Sequence, residues 1–328
     1  MNRQRIKVVT REIISSFSIN GLIRAGFFVL HVHINKTRSG FAMTKGLLVF
    51  QSDFGNSDGA VSAMHGVANS VQRGIPIFEI THQIPQYNIW EASYRLLQAI
   101  RYWPRETVFV SIVDPGVGSD RRSVVAKTID GHYIITPDNG TLTHVRQFIT
   151  ITEVREIDET KNRLPNSGES HTFHGRDIFA YTGARLAAGV IQFEDIGPSF
   201  NPSEIISLPL KTSSIVDELI VGNVDIIDRP FGNLWTNISR KQFKEIAEQH
   251  GDSFEVTITT DGRTIYNNIM TFGRSFADLH IGEPLVYVNS LDNIGIAINQ
   301  GSFADAYRIG TGTTWEVTIR KAPRIVYE

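Results

Sequence analysis

Short apolar segments alternate with amphipathic helical stretches through the first half of the chain, and this alternation is what most constrains the fold. Runs typical of buried strands occupy residues 46–51, 75–81 and 107–113, and apolar residues at helical spacing cover 89–102. The alternation predicts an α/β domain with a largely parallel central sheet. Functional residues gather at the carboxyl ends of the strands in such a sheet, and Asp53 and Asp114 fall at two of these ends.

A hairpin extends this first region. Strand-like runs at 123–128 and 133–136 flank Asp130-Gly131, a dipeptide typical of a tight turn. We therefore expect the α/β domain to cover residues 44–196.

The second half of the chain has a different pattern. A stretch rich in Pro, Ser and Asn at 197–211 is typical of a linker. Beyond it, short strand candidates lie at 218–227, 253–259, 285–288, 294–298 and 314–319. A capping-box pattern, Ser239 followed by Gln242, predicts one helix over 239–249. These features predict a smaller, mainly antiparallel β domain over residues 212–328.

The first 43 residues differ in charge from the rest. They carry seven basic side chains and one acid, Glu12, which leaves 44–328 with a net charge of −8. The apolar run within 26–34 is interrupted by two histidines and is too short to span a bilayer. Three interpretations stay open: a secretory signal without a clear cleavage site, a genuine extension, or a stretch upstream of a true start at Met43. We favour the last.

Charge and cysteine content exclude several functional classes. The formal net charge is −2, so the chain lacks the basic field that a nucleic-acid partner normally requires. The chain contains no cysteine, which excludes disulfides, thiolate metal sites and cysteine nucleophiles. This composition fits a reducing compartment, and we expect a cytoplasmic protein without a membrane partner.

Several turn motifs follow predicted strands or precede a helix. Asp114-Pro115-Gly116-Val117-Gly118 makes a tight turn that lets the backbone approach a ligand, and Arg121 follows it. Phe173-His174-Gly175-Arg176-Asp177 precedes an apolar helix. The segments 136–140 (TPDNG) and 228–233 (DRPFGN) are turns by composition. Taken singly, each motif also fits a purely structural turn.

Taken together, the motifs resemble the S-adenosylmethionine hydroxide adenosyltransferases, relatives of enzymes that fluorinate or chlorinate the same substrate. The resemblance runs from about residue 45 to about residue 310, through SDFG, DPGVG, TPDNG, FHGRD, DxPFGNxWTN and Asn289-Ser290. It implies the two domains above and a homotrimer that binds its ligand between neighbouring subunits. It also implies that water attacks C5′ of S-adenosylmethionine to give adenosine and L-methionine, with no separate cofactor and no metal.

The resemblance assigns catalytic positions residue by residue. Members that use water carry an Asp-Arg-His set, which matches Asp114, Arg121 and His174 here. Halogenating relatives place an aromatic residue at the Asp position and a hydroxyl residue at the position of Gly175. Because this sequence keeps Asp114 and Gly175, it resembles the branch that uses water.

The resemblance also assigns substrate-binding positions around the three parts of the ligand. These are Asp53 and Tyr87 at the ribose, Asp58, Asp228 and Ser290 at the methionine end, and Phe231 and Asn233 around the adenine.

The chemistry of the reaction agrees with these residue types. The sulfonium leaves as a neutral thioether and needs no acid, whereas water, with a pKa near 15.7, must be activated. His174 is able to accept the proton, while Arg121 stays protonated and stabilises the developing hydroxide. Asp114 orients one of these groups and balances charge. Which of the three takes the proton is left open by the sequence.

Three other functions compete with hydrolysis. A halogenase of the same fold is disfavoured by Asp114 and Gly175. A calcium-dependent nucleoside hydrolase requires adjacent carboxylates, and 52–59 offers only single ones. A protein that binds S-adenosylmethionine or adenosine without turnover is disfavoured by the intact Asp-Arg-His set.

Overall fold

Residues 46–323 are described by a computed structural model, and their first half is a layered α/β structure. Its strands are β1 (Leu48–Ser52), β2 (Ile77–Thr81), β3 (Val108–Ile112), β4 (Ser123–Thr128), β5 (Tyr133–Pro137), β6 (Ile151–Glu156) and β7 (Ser199–Phe200). Its α-helices are α1 (Ala60–Val71), α2 (Ile89–Ile100), α3 (Thr143–Phe148), α4 (Glu159–Asn162) and α5 (Tyr181–Ala187), and a π-helical turn (Gly175–Ala180) precedes α5.

The seven strands form one sheet in the order β2-β1-β3-β5-β4-β6-β7. The pairs β1–β2, β1–β3 and β3–β5 are parallel, while β4 pairs antiparallel with both β5 and β6. The parallel half places the carboxyl ends of β1 and β3 side by side, because Ser52 is in register with Ile112. Asp53 and Asp114 therefore emerge at the same edge of the sheet.

Helices cover both faces of this sheet, which explains why its central strands are continuously apolar. All five residues of β1 and of β3 are buried. Leu48 and Phe50 pack in a core cluster with α1 and α5, and Val49 packs in a separate cluster with α2 and α3. Alternate side chains of one strand thus reach the two faces of the sheet.

The second half is a barrel of mainly antiparallel strands. They are β8 (Ser214–Val216), β9 (Leu219–Asp228), β10 (Asn233–Ser239), β11 (Ser253–Thr260), β12 (Arg263–Phe272), β13 (Pro284–Val288), β14 (Asn293–Ile298) and β15 (Trp315–Lys321), with short helices α6 (Arg240–Phe243) and α7 (Phe303–Tyr307). The order is β10-β14-β13-β12-β11-β15-β9-β8, and a further pairing of β10 with β9 closes the sheet.

Polar contacts join α2 to strand β9 and its end. The Trp90 indole N–H donates to the Asp225 carbonyl at 2.6 Å, and Arg95 donates to the Ile227 carbonyl at 2.6 Å. Arg229, just after β9, forms a bidentate ion pair with Glu91, whose side chain is 3% exposed. These contacts fix the turn that follows β9 against the α/β half.

The fold class predicted from the sequence is confirmed, with two differences in detail. The helix predicted over 239–249 is wrong in length: the Ser239–Gln242 capping box is present, but α6 spans only Arg240–Phe243. The stretch 197–211 contains β7, which pairs with β6. The expectations for residues 1–43 lie outside the described residues. Within 46–323, no helix has the length and apolar character needed to cross a membrane.

Candidate functional site

The turn after β3 holds an ion pair that is almost fully buried. The Arg121 Nε–H lies 2.9 and 3.1 Å from the two carboxylate oxygens of Asp114, and its Nη2 also donates to Asp114 Oδ2. The side chains of Arg121 and Asp114 are 10% and 6% exposed. Removing one partner of such a pair leaves a buried charge without compensation.

His174 completes this group from another part of the chain. It directly precedes the π-helical turn, is 4% exposed, and its Nδ1 lies 3.2 Å from Arg121 Nη2. Burial lowers the pKa of His174 below its usual range; Glu159 and Asp114 oppose this effect, and Arg121 and Arg163 add to it. The imidazole is therefore neutral near pH 7 and able to accept a proton.

A cavity of about 530 Å³ opens beside these residues, a volume typical of small-molecule sites. Its walls contain five of the predicted site residues: Asp53, Asp58, Tyr87, Asp114 and His174. Arg121 lies behind the wall, with its guanidinium 5.2 Å from the centre of the Phe179 ring. One cavity thus brings together the predicted catalytic residues and the predicted ribose positions.

Asp53 links the loop after β1 to the loop before α2. Its Oδ2 accepts a hydrogen bond from the Tyr87 backbone N–H at 2.8 Å, and Tyr87 has a φ of 65°. The Tyr87 side chain is 69% exposed, so its ring is free to pack against a ligand. Asp58 is exposed, and its Oδ1 accepts from the Ala60 N–H at 2.9 Å.

Gly175 lies against the tip of the Phe54 ring. A Cβ atom at this position would lie 2.9 Å from Phe54 Cζ and 3.4 Å from Phe173 Cε2. The two phenyl rings contact each other edge to face, with centroids 5.7 Å apart. The aromatic pair therefore closes the cavity wall next to His174.

The TPDNG motif supports this site from behind. Asn139 Nδ2 donates to the Val113 carbonyl at 2.8 Å, directly before Asp114. Asp138 is 1% exposed, pairs with Arg122, and accepts from the Ile206 N–H at 2.9 Å. The motif has a structural role, as its composition predicts.

The barrel contributes a second cavity, of about 990 Å³. Its walls contain the four remaining predicted positions: Asp228, Phe231, Asn233 and Ser290. Asp228 and Asn233 face each other across the β9–β10 pair; burial raises the pKa of Asp228, while Arg95 and the Asn233 hydrogen bond oppose the rise. Phe231 is 66% exposed.

The predicted positions thus divide between two cavities. Among the described residues, no side chain lines both of them. The structure of one chain therefore groups the ribose and catalytic positions on one side and the adenine positions on the other. It divides the predicted methionine-end positions, with Asp58 in the first cavity and Asp228 and Ser290 in the second.

Several residues of the site were not predicted from the sequence. Phe54 and Phe173 lie inside the SDFG and FHGRD motifs, and their place in these motifs is the sequence signal for them. Arg163, directly after α4, contacts His174, and Glu159 on α4 contacts Arg163; both lie in a segment without any recognisable motif.

Within residues 46–323, no group of three or more His, Asp or Glu side chains is arranged to hold a metal ion.

Family comparisons match most of the chain. The N-terminal domain of SAM hydroxide adenosyltransferases matches residues 48–197, and the C-terminal domain of the same family matches residues 222–316.

Similar proteins carry two kinds of name. An (R)-S-adenosyl-L-methionine hydrolase of Salinispora tropica is 32% identical, over 82% of this chain and 96% of its own. A fluorinase of an Actinoplanes species is 29% identical, and the match covers 84% of this chain and 98% of the fluorinase. The crystal structure of an uncharacterized conserved protein from Thermotoga maritima superposes with a TM-score of 0.75 at 30% identity, covering 84% of this chain and all of the other.

Proposed function

The chain belongs to the SAM hydroxide adenosyltransferase family, and on this premise we propose that it hydrolyses S-adenosylmethionine to adenosine and L-methionine. The observation that carries the proposal is the hydrogen-bonded set Asp114–Arg121–His174 at the wall of a cavity that also contains Asp53. This set combines a neutral imidazole with a guanidinium whose charge is balanced by a carboxylate.

The reaction is a displacement at C5′. A water oxygen forms a bond to C5′ while the C5′–S bond breaks, and the electron pair goes to sulfur, giving the thioether of methionine. The water gives up one proton, which His174 accepts; a positioned base contributes a rate factor of about 10²–10⁴. Arg121 stabilises the negative charge that develops on the oxygen, and Asp114 keeps Arg121 in orientation.

Two features favour water over halide as the nucleophile. Asp114 lies at the cavity wall, at the position where halogenating relatives carry an aromatic residue. Gly175 provides no hydroxyl donor, and the tip of the Phe54 ring lies 2.9 Å from the position of a Cβ there.

We further propose that the active site is completed between subunits of a homotrimer. The support is the division of the predicted ligand positions between two cavities without a common lining residue in the described part of the chain. A ring in which one cavity of each subunit faces the other cavity of its neighbour joins all positions around one ligand, and closed rings are the usual outcome of such head-to-tail contacts.

The test is incubation with S-adenosylmethionine in oxygen-18 water containing chloride, followed by mass analysis of the nucleoside. We expect adenosine with oxygen-18 at the 5′ position, together with an equal amount of methionine. A 5′-chloro nucleoside assigns the halogenase reaction instead. Tight binding without turnover assigns a sensor.

A matched control separates chemistry from binding. His174→Ala, measured under the same conditions, is expected to bind S-adenosylmethionine and to form labelled adenosine much more slowly. Unchanged turnover in a folded His174→Ala variant contradicts the assigned role of His174.

A further inference from the structure

The His174 ring lies between two guanidinium groups. Its Nδ1 is 3.2 Å from Arg121 Nη2, and its Nε2 is 3.3 Å from Arg163 Nη2. Arg121 belongs to the proposed catalytic set, whereas Arg163, directly after α4, has no assigned role.

The hydrogen-bonding capacity of these groups restricts the state of the ring. A guanidinium only donates, and a neutral imidazole has one acceptor nitrogen. One of the two contacts is therefore a hydrogen bond, whereas in the other the N–H of the imidazole faces an N–H of a guanidinium. Adding a proton removes the acceptor and places a cation between two cations, so the geometry itself disfavours the imidazolium.

Arg163 is held in place from several directions. Its Nη2 donates to Glu159 Oε2 at 2.9 Å, and its Nη1 lies 3.3 Å from the Ser170 carbonyl. The Arg163 side chain is 14% exposed. The guanidinium is thus fixed beside His174 rather than free to turn into solvent.

The contacts close into a ring of side chains. Glu159 Oε1 accepts from Ser123 Oγ at 3.4 Å, and Ser123 Oγ accepts from Arg121 Nη1 at 2.7 Å. From Arg121 the path returns to His174. Each arginine is paired with its own carboxylate, Asp114 for Arg121 and Glu159 for Arg163.

We propose that Arg163 and Glu159 are positioning residues for the reaction: Arg163 holds the His174 ring against Arg121 and keeps it neutral, and Glu159 sets how strongly Arg163 does so. Neither residue needs to touch the substrate, and neither lines the cavity. The activity readout of this proposal rests on the proposed hydrolysis, whereas the state of His174 does not.

The charged groups that face His174 come from every element packed around it. They are Asp114 and Arg121 after β3, Glu159 and Arg163 from α4 and its end, and the exposed His171 ring, whose centroid is 6.1 Å from that of His174. Burial is the largest cause of the lowered pKa of His174; Glu159 opposes it, while Arg121 and Arg163 add to it.

Opposite effects of two neighbouring substitutions test the proposal. Arg163→Gln removes a cation and makes protonation of His174 easier, so the acid limb of kcat/KM should move to higher pH by about one pH unit. Glu159→Gln removes an anion and should move the same limb to lower pH. If the Arg163–Glu159 salt bridge only stabilises the fold, the acid limb should move in the same direction in both variants, because either substitution breaks the same contact.

Histidine NMR provides a readout without turnover. With carbon-13-labelled histidine in the full chain, the His174 resonance, assigned by its loss in His174→Gln, should titrate at higher pH in Arg163→Gln and at lower pH in Glu159→Gln. Arg163→Lys keeps the cation and should keep the titration of the wild type even where kcat falls.

Lys161→Gln is the matched control. Lys161 lies on the same helix and forms an ion pair of 2.8 Å with Asp158, without an observed contact to His174. The Lys161→Gln variant should leave both the acid limb of kcat/KM and the NMR titration of His174 unchanged. Shifts of Arg163→Gln and Glu159→Gln in the same direction, or no shift in either, overturn the proposal. If the His174 titration shifts in opposite directions in the two variants but the protein does not hydrolyse S-adenosylmethionine, the effect of Arg163 and Glu159 on His174 stands and the proposed reaction is rejected.

Discussion

Mixing two impaired variants tests whether the active site is completed between subunits. His174→Ala impairs the cavity of the α/β half, and the double variant Phe231→Ala/Asn233→Ala impairs the cavity of the barrel. Phe231 is 66% exposed, so its truncation should not disturb the core. Each variant alone carries one defect in every site.

The expected recovery follows from random assembly. When equal amounts of the two subunits form closed rings, each site draws one cavity from each of two neighbours. A site is intact when its α/β cavity comes from the double variant and its barrel cavity comes from His174→Ala. This combination occurs in about a quarter of the sites of the whole mixture and in one of the three sites of every mixed trimer, so isolated mixed trimers should have about a third of wild-type activity.

The assay uses co-expressed subunits with different affinity tags, so that mixed oligomers are isolated by two successive purifications. Activity is measured at low S-adenosylmethionine, where both lost binding and lost chemistry lower the rate. Mixed oligomers that perform no better than the mean of the two parents refute the shared site. A monomer in sedimentation also refutes it.

Three further outcomes are expected. His174→Ala should lower kcat by about 10²–10⁴-fold with near-normal binding. Asn233→Ala should instead weaken substrate binding by about 0.5–1.5 kcal/mol with kcat retained. Single-turnover kinetics measures the first effect, and calorimetry measures the second. Gly175→Ser should lose about 1–3 kcal/mol of stability because its Cβ meets Phe54 at 2.9 Å, and Phe54→Leu should restore the melting temperature. Burial raises the pKa of Asp225 to about 7. The free energy of unfolding should therefore fall by up to about 4 kcal/mol as the pH rises from about 4 through 7. Urea titrations of Asp225→Asn should no longer show this fall.

The parallel half of the fold was predictable because burial on both faces leaves a strong pattern. The predicted runs at 46–51 and 107–113 correspond to β1 and β3, whose residues are all buried. Strand β12 was missed because only three of its ten residues are buried, which leaves it with exposed polar residues and no apolar run. The predicted helix over 239–249 was too long because a capping box marks where a helix begins and not where it ends.

The candidate site was predictable only as far as it lies in local motifs. Asp114, Arg121 and His174 come together because motifs after β3 and before α5 meet at one sheet edge. Arg163 has no such signal, since its position depends on a loop path that returns the chain to His174. The separation of the ligand positions into two cavities is likewise a property of tertiary structure that spacing along the chain does not contain.

Charge compensation among the side chains around His174 bears on the proposed reaction of a cationic substrate. Asp114 and Glu159 balance Arg121 and Arg163, so the group around a neutral His174 carries no net charge. In the proposed reaction His174 takes the proton from water, and the group gains one positive charge at the moment when the sulfonium loses its own. The total charge of the enclosed site is therefore conserved through the reaction, and the cost of placing a proton between two guanidinium groups is offset by the neutralisation of sulfur. A site with either carboxylate removed holds an excess positive charge before the substrate arrives, which predicts weaker binding of the sulfonium in addition to any change in rate.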